Sequence, residues 1–169
     1  MRFPIYNFLI IFVLGIILLY SYYYYAVNTK NILQLWGRIK KPLLYIYYLS
    51  MIISAISFLL LIIYLILSDN FNSNQINLIF YSIIGIVFFS LFWMPLSIEY
   101  LKNPSTFIQY AIYFDLFLVA ISTFYLLYIL YNIKDDQNKL LKNLAFWGMI
   151  YFFIHVFFFD LILWTYNFF

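Results

Sequence analysis

The stretch from Pro42 to Ser68 contains no charged side chain, and this stretch constrains the fold more than any other feature. A helix needs about 20 mostly apolar residues to cross the hydrocarbon core of a bilayer. Four further stretches meet this requirement, so we predict five membrane-spanning helices at about residues 4–26, 43–67, 77–98, 107–131 and 145–168. None alternates apolar and polar residues as a membrane β-barrel would. We expect an all-α integral membrane bundle of five transmembrane helices, with residues 1–169 forming a single transmembrane domain.

The composition excludes most soluble classes of protein. The chain is 67% hydrophobic and 9% charged, whereas an ordinary soluble domain is about 25% charged. It has no cysteine, which removes disulfides and thiolate chemistry, and its net charge of +3 is too small to indicate nucleic-acid binding. One histidine and scattered acids lack the spacing of metal ligands, and no nucleophile or phosphate-binding motif occurs. We expect no cofactor, no metal and no catalytic site belonging to this chain alone.

The choice of residues also indicates a genome rich in A and T. Phe and Tyr number 21 and 19, whereas Gly and Pro number 4 each. Close contact between membrane helices would have favoured small residues such as Gly and Ala, so codon bias is the better explanation. This bias is typical of organelle, endosymbiont and some viral genomes. It favours an organelle-encoded protein of the mitochondrial inner membrane.

The first loop, residues 28–41, is basic and patterned. Its hydrophobic residues recur at spacings of three and four, which favours a short helix lying in the headgroup layer. The alternative is a polar loop whose hydrophobic side chains pack on the bundle. The candidate lipid contacts are an aromatic anchor and the basic residues that would face anionic lipid: Trp36, Lys30, Arg38, Lys40 and Lys41.

Three ionisable side chains lie well inside predicted spans: Asp115 in the fourth, and His155 and Asp160 in the fifth. Such groups are costly in lipid and usually face a partner or a water-filled path. Asp115 and Asp160 both lie about 12 Å from the same end of the bundle, so their carboxyls could meet and share a proton. His155 is offset from Asp160 by about 140° in an α-helix, so the two should not share a face.

We interpret these three residues either as a proton relay or as buried polar contacts. The contacts would be with neighbouring helices or with a partner protein. Hydroxyls that could bridge the gaps in a relay come from Tyr110, Tyr113, Tyr125 and Tyr151.

Small motifs in the second and third spans carry one family resemblance. A Lys-Pro pair opens the second span, small polar residues follow, and the third span has a Tyr, a Gly, a Val-x-Phe and a Met: Lys41-Pro42, Leu49, Ser54–Ser57, Tyr81, Gly85, Val87, Phe89, Met94 and Glu99-Tyr100. This order resembles chain 6 of NADH:quinone oxidoreductase, respiratory complex I. The resemblance implies a non-redox subunit of a mitochondrial respiratory-chain complex that contributes to membrane-arm assembly and proton conduction. Its partners would be the lipid bilayer and other hydrophobic subunits.

A second set of motifs begins in the first loop. It has an aromatic residue followed by a basic Lys-Pro ending, a Trp-x-Pro in the third span, and later Asp-Leu, Leu-Leu and Trp: Trp36–Pro42, Trp93–Leu96, Asp115-Leu116, Leu140-Leu141 and Trp147. This order is similar to the translocator/tryptophan-rich sensory protein family. That resemblance implies a small-ligand (porphyrin or sterol) binding membrane protein. A lineage-specific structural subunit is the third alternative.

Overall fold

The computed structural model describes residues 1–134 and 138–169, and five long helices account for most of them. These are α1 (Ile5–Asn28), α2 (Lys41–Leu67), α3 (Ser73–Lys102), α4 (Thr106–Asn132) and α5 (Lys139–Phe168). Each is long and apolar enough to cross a membrane, and the described part of the chain contains no strand. The predicted all-α class and the number of long apolar helices are therefore confirmed. The observed helices extend beyond the predicted spans because helical hydrogen bonding continues into the polar flanks.

Local sequence sets where three of the helices begin. Asn72 accepts a hydrogen bond from the backbone N–H of Gln75 (2.8 Å), and the Gln75 side chain accepts one from the backbone N–H of Asn72 (2.9 Å). This reciprocal capping box satisfies amides that have no partner inside α3. Ser105 caps α4 by accepting from the backbone N–H of Ile108 (3.2 Å). Pro42 lies in the first turn of α2, where its missing N–H costs no helical hydrogen bond.

The packing of the helices follows chain order only in part. The most extensive contact joins α3 and α4, the next joins α2 and α5, and α1 packs on α3 while α4 packs on α5. Two close approaches explain part of this arrangement. A Cβ built at Gly85 of α3 would lie 2.6 Å from Ser122 Oγ of α4, and one at Gly148 of α5 would lie 3.2 Å from Ser57 Cβ of α2. Small residues at these points let the helix backbones come together.

The first loop covers one end of the bundle. It forms a one-turn 3-10 helix, Ile32–Trp36, in which Leu35 is buried. The Leu35 carbonyl accepts a hydrogen bond from Trp164 Nε1 (2.7 Å), and the backbone N–H of Arg38 donates to the Asn167 carbonyl (2.9 Å). Trp36 packs against the rings of Tyr47 and Tyr48. Most hydrophobic side chains of the loop therefore pack on the bundle, as the second interpretation of this loop expects, whereas Leu33 is 72% exposed.

Two clusters of buried side chains form the core. One lies toward the end that holds residues 68–72 and includes Leu61, Ile79 and Met149. We call the other the loop-one cluster because loop residues close it. Its buried members come from the loop and from four helices: Leu35, Ile39, Tyr47, Trp93, Met94, Ile98, Ile112, Leu116 and Trp164.

Ten residues in the second half of α5 depart from α-helical geometry. Residues His155–Trp164 form a π-helix between the α-helical turns that precede and follow it. In a π-helix the backbone hydrogen bond links residues five apart, and such segments are rare and often lie at functional sites. By contrast, α3 is α-helical from end to end and includes Pro95.

Candidate functional site

A connected set of polar side chains lies between α2 and α5. The Tyr151 hydroxyl donates to Ser50 Oγ (3.0 Å), and Ser50 Oγ lies 2.9 Å from His155 Nδ1. On the other side of the ring, His155 Nε2 is 3.5 Å from Asp160 Oδ1. The Tyr47 hydroxyl also donates to Asp160 Oδ1. We call these five residues the His155 network.

The partners of His155 indicate which ring nitrogen carries the proton. A carboxylate oxygen can only accept, so the nitrogen facing Asp160 is assigned as Nε2–H. Nδ1 then accepts from the Ser50 hydroxyl, whose oxygen in turn accepts from Tyr151. This tautomer is an assignment from the hydrogen-bond pattern. It gives each hydroxyl and ring nitrogen of the network a complementary partner.

The π-helix brings His155 and Asp160 together. The expectation that they lie on different faces is wrong, because it assumed α-helical winding. In the π-helical segment His155–Trp164, residues five apart lie nearly above one another, much as residues four apart do in an α-helix.

A second group of side chains surrounds Tyr22 of α1. The Tyr22 hydroxyl donates to the Ser90 carbonyl (3.0 Å), and its ring contacts the ring of Trp93 at a centroid distance of 5.7 Å. The same hydroxyl lies within electrostatic range of both Asp115 and Asp160. Each of the five helices thus contributes one side chain to this interior region: Tyr22, Tyr47, Trp93, Asp115 and Asp160.

Two polar atoms in this region have no hydrogen-bond partner within the described chain. They are Trp93 Nε1, a donor, and Asp115 Oδ2, an acceptor. Asp115 is only 5% exposed and Trp93 only 9%. Buried polar atoms in native proteins are nearly always paired with protein, water or a bound molecule. This unpaired donor and acceptor mark the part of the interior best suited to recognise something other than the chain itself.

The three buried ionisable residues predicted from the sequence therefore divide between two environments. His155 and Asp160 belong to the His155 network. Asp115 makes no hydrogen bond to Asp160, and the two carboxyls are related only through their proximity to Tyr22. Of the four candidate tyrosines, Tyr151 joins the network, while Tyr110 and Tyr125 are exposed. Tyr113 packs against the ring of Phe169.

The basic residues proposed as lipid contacts are all exposed. They lie in or beside loop one at the end of the bundle that also holds the last residues of α5: Lys30, Arg38, Lys40 and Lys41. Arg38 Nη2 donates to the Tyr166 carbonyl (3.1 Å). Trp36 is half-buried against two tyrosine rings. Contact of these residues with lipid stays a prediction.

Sequence reasoning missed Ser50, Tyr47 and Tyr22. A signal for Ser50 was present: Ser50, Ser54 and Ser57 recur at spacings of four and three, and all three are buried. Polar residues at helical spacing in an otherwise uncharged span indicate one polar face. Within residues 1–134 and 138–169, no three His, Cys, Asp or Glu side chains converge as metal ligands would.

Comparison of the chain with family models, with curated proteins and with solved structures finds no match.

Proposed function

We propose that the protein is an integral membrane protein that binds a small, largely apolar ligand inside the loop-one cluster. The observation that carries this proposal is the pair of unpaired buried atoms, Trp93 Nε1 and Asp115 Oδ2. They lie beside aromatic rings contributed by several helices. Small-molecule sites typically combine an apolar, aromatic lining with a few polar groups that orient the ligand. A planar aromatic molecule with both an acceptor and a donor at its edge, such as a porphyrin, has this chemistry.

The positions of the translocator-like motifs support the same proposal. Trp36, Trp93 and Asp115 are far apart in the sequence, yet all lie in or beside the loop-one cluster. Loop one closes this end of the bundle through the hydrogen bond from Trp164 Nε1 to the Leu35 carbonyl. The ligand would therefore enter when loop one lifts from the end of the bundle.

Porphyrin titration tests this proposal. The purified chain in dodecyl maltoside is titrated with protoporphyrin IX while tryptophan fluorescence is recorded. We expect saturable quenching, with affinity weakened about tenfold in Asp115→Leu because the side chain can no longer accept a hydrogen bond from the ligand. The matched control is Trp147→Phe, which removes a tryptophan that is 66% exposed. Quenching without saturation, or equal affinity in Asp115→Leu, would refute ligand binding at this site.

A second candidate is the respiratory-chain subunit implied by the resemblance to complex I chain 6. One observation favours it: only Asn7 and Ile11 are buried in α1, which packs chiefly on α3. The apolar surface that remains suits neighbouring hydrophobic subunits as well as lipid. Native electrophoresis after mild solubilisation tests this candidate. Migration with a large complex supports it, and a stable monomer or dimer free of other subunits contradicts it.

A further inference from the structure

The buried face of α2 is polar over much of its length. Its members recur at spacings of three and four and point toward the interior: Tyr47, Ser50, Ser54, Ser57, Leu61 and Tyr64. This face meets α5, since Ser50 accepts from Tyr151 and Ser57 lies against Gly148. Polar groups inside a membrane bundle are costly unless they serve a contact or a path.

We infer that the interface between α2 and α5 is a proton-relay path that starts at Asp160, whose side chain is 20% exposed near the loop-one end, and stops at Leu61. Its central part is the chain Tyr151, Ser50, His155 and Asp160, in which hydrogen bonds join the first three residues and His155 Nε2 lies 3.5 Å from Asp160 Oδ1. The ligand is a proton, delivered and removed by water. This inference does not depend on ligand binding in the loop-one cluster, and either function could fail while the other holds.

The geometry supplies each step of the transfer. When water reaches the serines from beyond position 61, as Leu61→Ser would allow, a proton passed through Ser50 binds His155 Nδ1 and makes an imidazolium beside the Asp160 carboxylate. The Nε2 proton then passes to Asp160 Oδ1, which requires the 3.5 Å separation to shorten to hydrogen-bond distance. His155 is left neutral with its proton on Nδ1, and Asp160 releases its proton to water at the loop-one end. A rotation of the ring that turns Nδ1–H toward Asp160 and the unprotonated Nε2 toward Ser50 completes the cycle, with one proton moved.

Ser54 gives an observation independent of this chain of contacts. Its hydroxyl is 3% exposed and has no hydrogen-bond partner in the described chain. It lies one turn beyond Ser50 on the polar face of α2 and extends the path toward the middle of the bundle. Tyr47 and Ser57, the first and last polar members of this face before Leu61, are ten residues apart, which corresponds to about 15 Å along α2. The path therefore covers about half of a bilayer core that is about 30 Å thick.

The other titratable groups near the path come from three helices. Tyr47 of α2 contacts Asp160 directly, and Tyr22 of α1 faces both Asp160 and Asp115 of α4. From α3, Trp93 contacts the ring of Tyr22 and does not titrate. Leu61 follows Ser57 on the polar face of α2, is fully buried and offers no hydrogen bond. It separates the serines from the rest of the polar face.

Proton flux into liposomes tests the inference. The full chain is reconstituted into sealed phosphatidylcholine/phosphatidylglycerol vesicles that contain a pH-sensitive dye, and a potassium diffusion potential drives protons inward. Leu61→Ser joins the two parts of the polar face, so we expect its flux to exceed that of the original chain by at least tenfold. In the Leu61→Ser background, His155→Phe should lower the flux at least tenfold.

Ser97→Ala is the matched control for Ser50→Ala in the same background. Both serines are buried, but the Ser97 hydroxyl donates to the Trp93 carbonyl of its own helix and lies outside the path. Ser50→Ala should lower the flux and Ser97→Ala should not. Circular dichroism checks folding of every variant, and Asp160→Asn replaces His155→Phe if the latter does not fold. Equal flux with and without Leu61→Ser, or flux unaffected by loss of His155 or Asp160, would overturn the inference.

Discussion

Replacing Trp164 with phenylalanine tests how loop one is held on the bundle. Trp164 is fully buried, and its Nε1 donates to the Leu35 carbonyl at 2.7 Å. Phenylalanine keeps an aromatic ring beside Phe168 and Trp93 but removes the donor. Leaving a buried carbonyl without its donor costs about 1–3 kcal/mol, and the space left by the smaller ring adds about 1 kcal/mol. We therefore expect Trp164→Phe to lower the free energy of unfolding by about 2–4 kcal/mol.

Two measurements follow this change. Unfolding in mixed dodecyl maltoside/SDS micelles, monitored by far-UV circular dichroism, reports the free energy of unfolding. Trypsin cleavage after Arg38 and Lys40, both exposed in loop one, reports opening of the loop. If the closed position of loop one loses about 2 kcal/mol relative to the open position, the population of the open position rises roughly 30-fold. The cleavage rate rises by the same factor.

The control for this experiment is a tryptophan on the outer surface of the bundle. Trp147 is 66% exposed, so Trp147→Phe should change the free energy of unfolding by less than about 0.5 kcal/mol. The reasoning fails if the free energy of unfolding of Trp164→Phe lies within about 0.5 kcal/mol of that of the original chain. It also fails if loop one is cleaved no faster in the variant.

Three further changes test the fold. Gly148→Leu should lower the free energy of unfolding by about 1–3 kcal/mol in the same SDS titration, because the leucine side chain would collide with α2. Gly15→Leu is the control, since nothing lies within 4 Å of a Cβ at that position. An equal loss of unfolding free energy in the two variants would contradict the packing of α5 on α2. Asn72→Ala removes the cap of α3 and should cost about 1 kcal/mol; no measurable loss would mean that the cap does not stabilise the helix. Lys40→Cys and Asp69→Cys flank α2 in a chain that has no cysteine, and they should react with a membrane-impermeant thiol reagent from opposite sides of sealed vesicles. Labelling of both from one side would contradict a membrane-spanning α2.

The number of helices was predictable because length and hydropathy alone decide it. A stretch such as Pro42–Ser68 has few alternatives to a helix in an apolar environment. The neighbour relations of the helices were not predictable. They depend on close approaches such as that of Gly85 to Ser122, and a single sequence does not indicate which small residues face each other.

The candidate site was predictable only in its rarest residues. His155 and Asp160 were visible because ionisable groups are uncommon in spans. Their contact was not, because the periodicity argument assumed one winding throughout the helix. Ser50 and Tyr47 are common residue types in this chain, and their roles depend on which helix faces α5.

The π-helical segment makes the contact between His155 and Asp160 depend on the winding of one helix rather than on the packing of five. If His155–Trp164 adopted α-helical winding, the two side chains would point about 140° apart around the helix axis. The imidazole and the carboxylate would then separate. Because a π-helix has more residues per turn than an α-helix, the same change over these ten residues would also rotate the end of α5 that carries Trp164. The winding of this segment therefore links the His155 network to the hydrogen bond that holds loop one on the bundle.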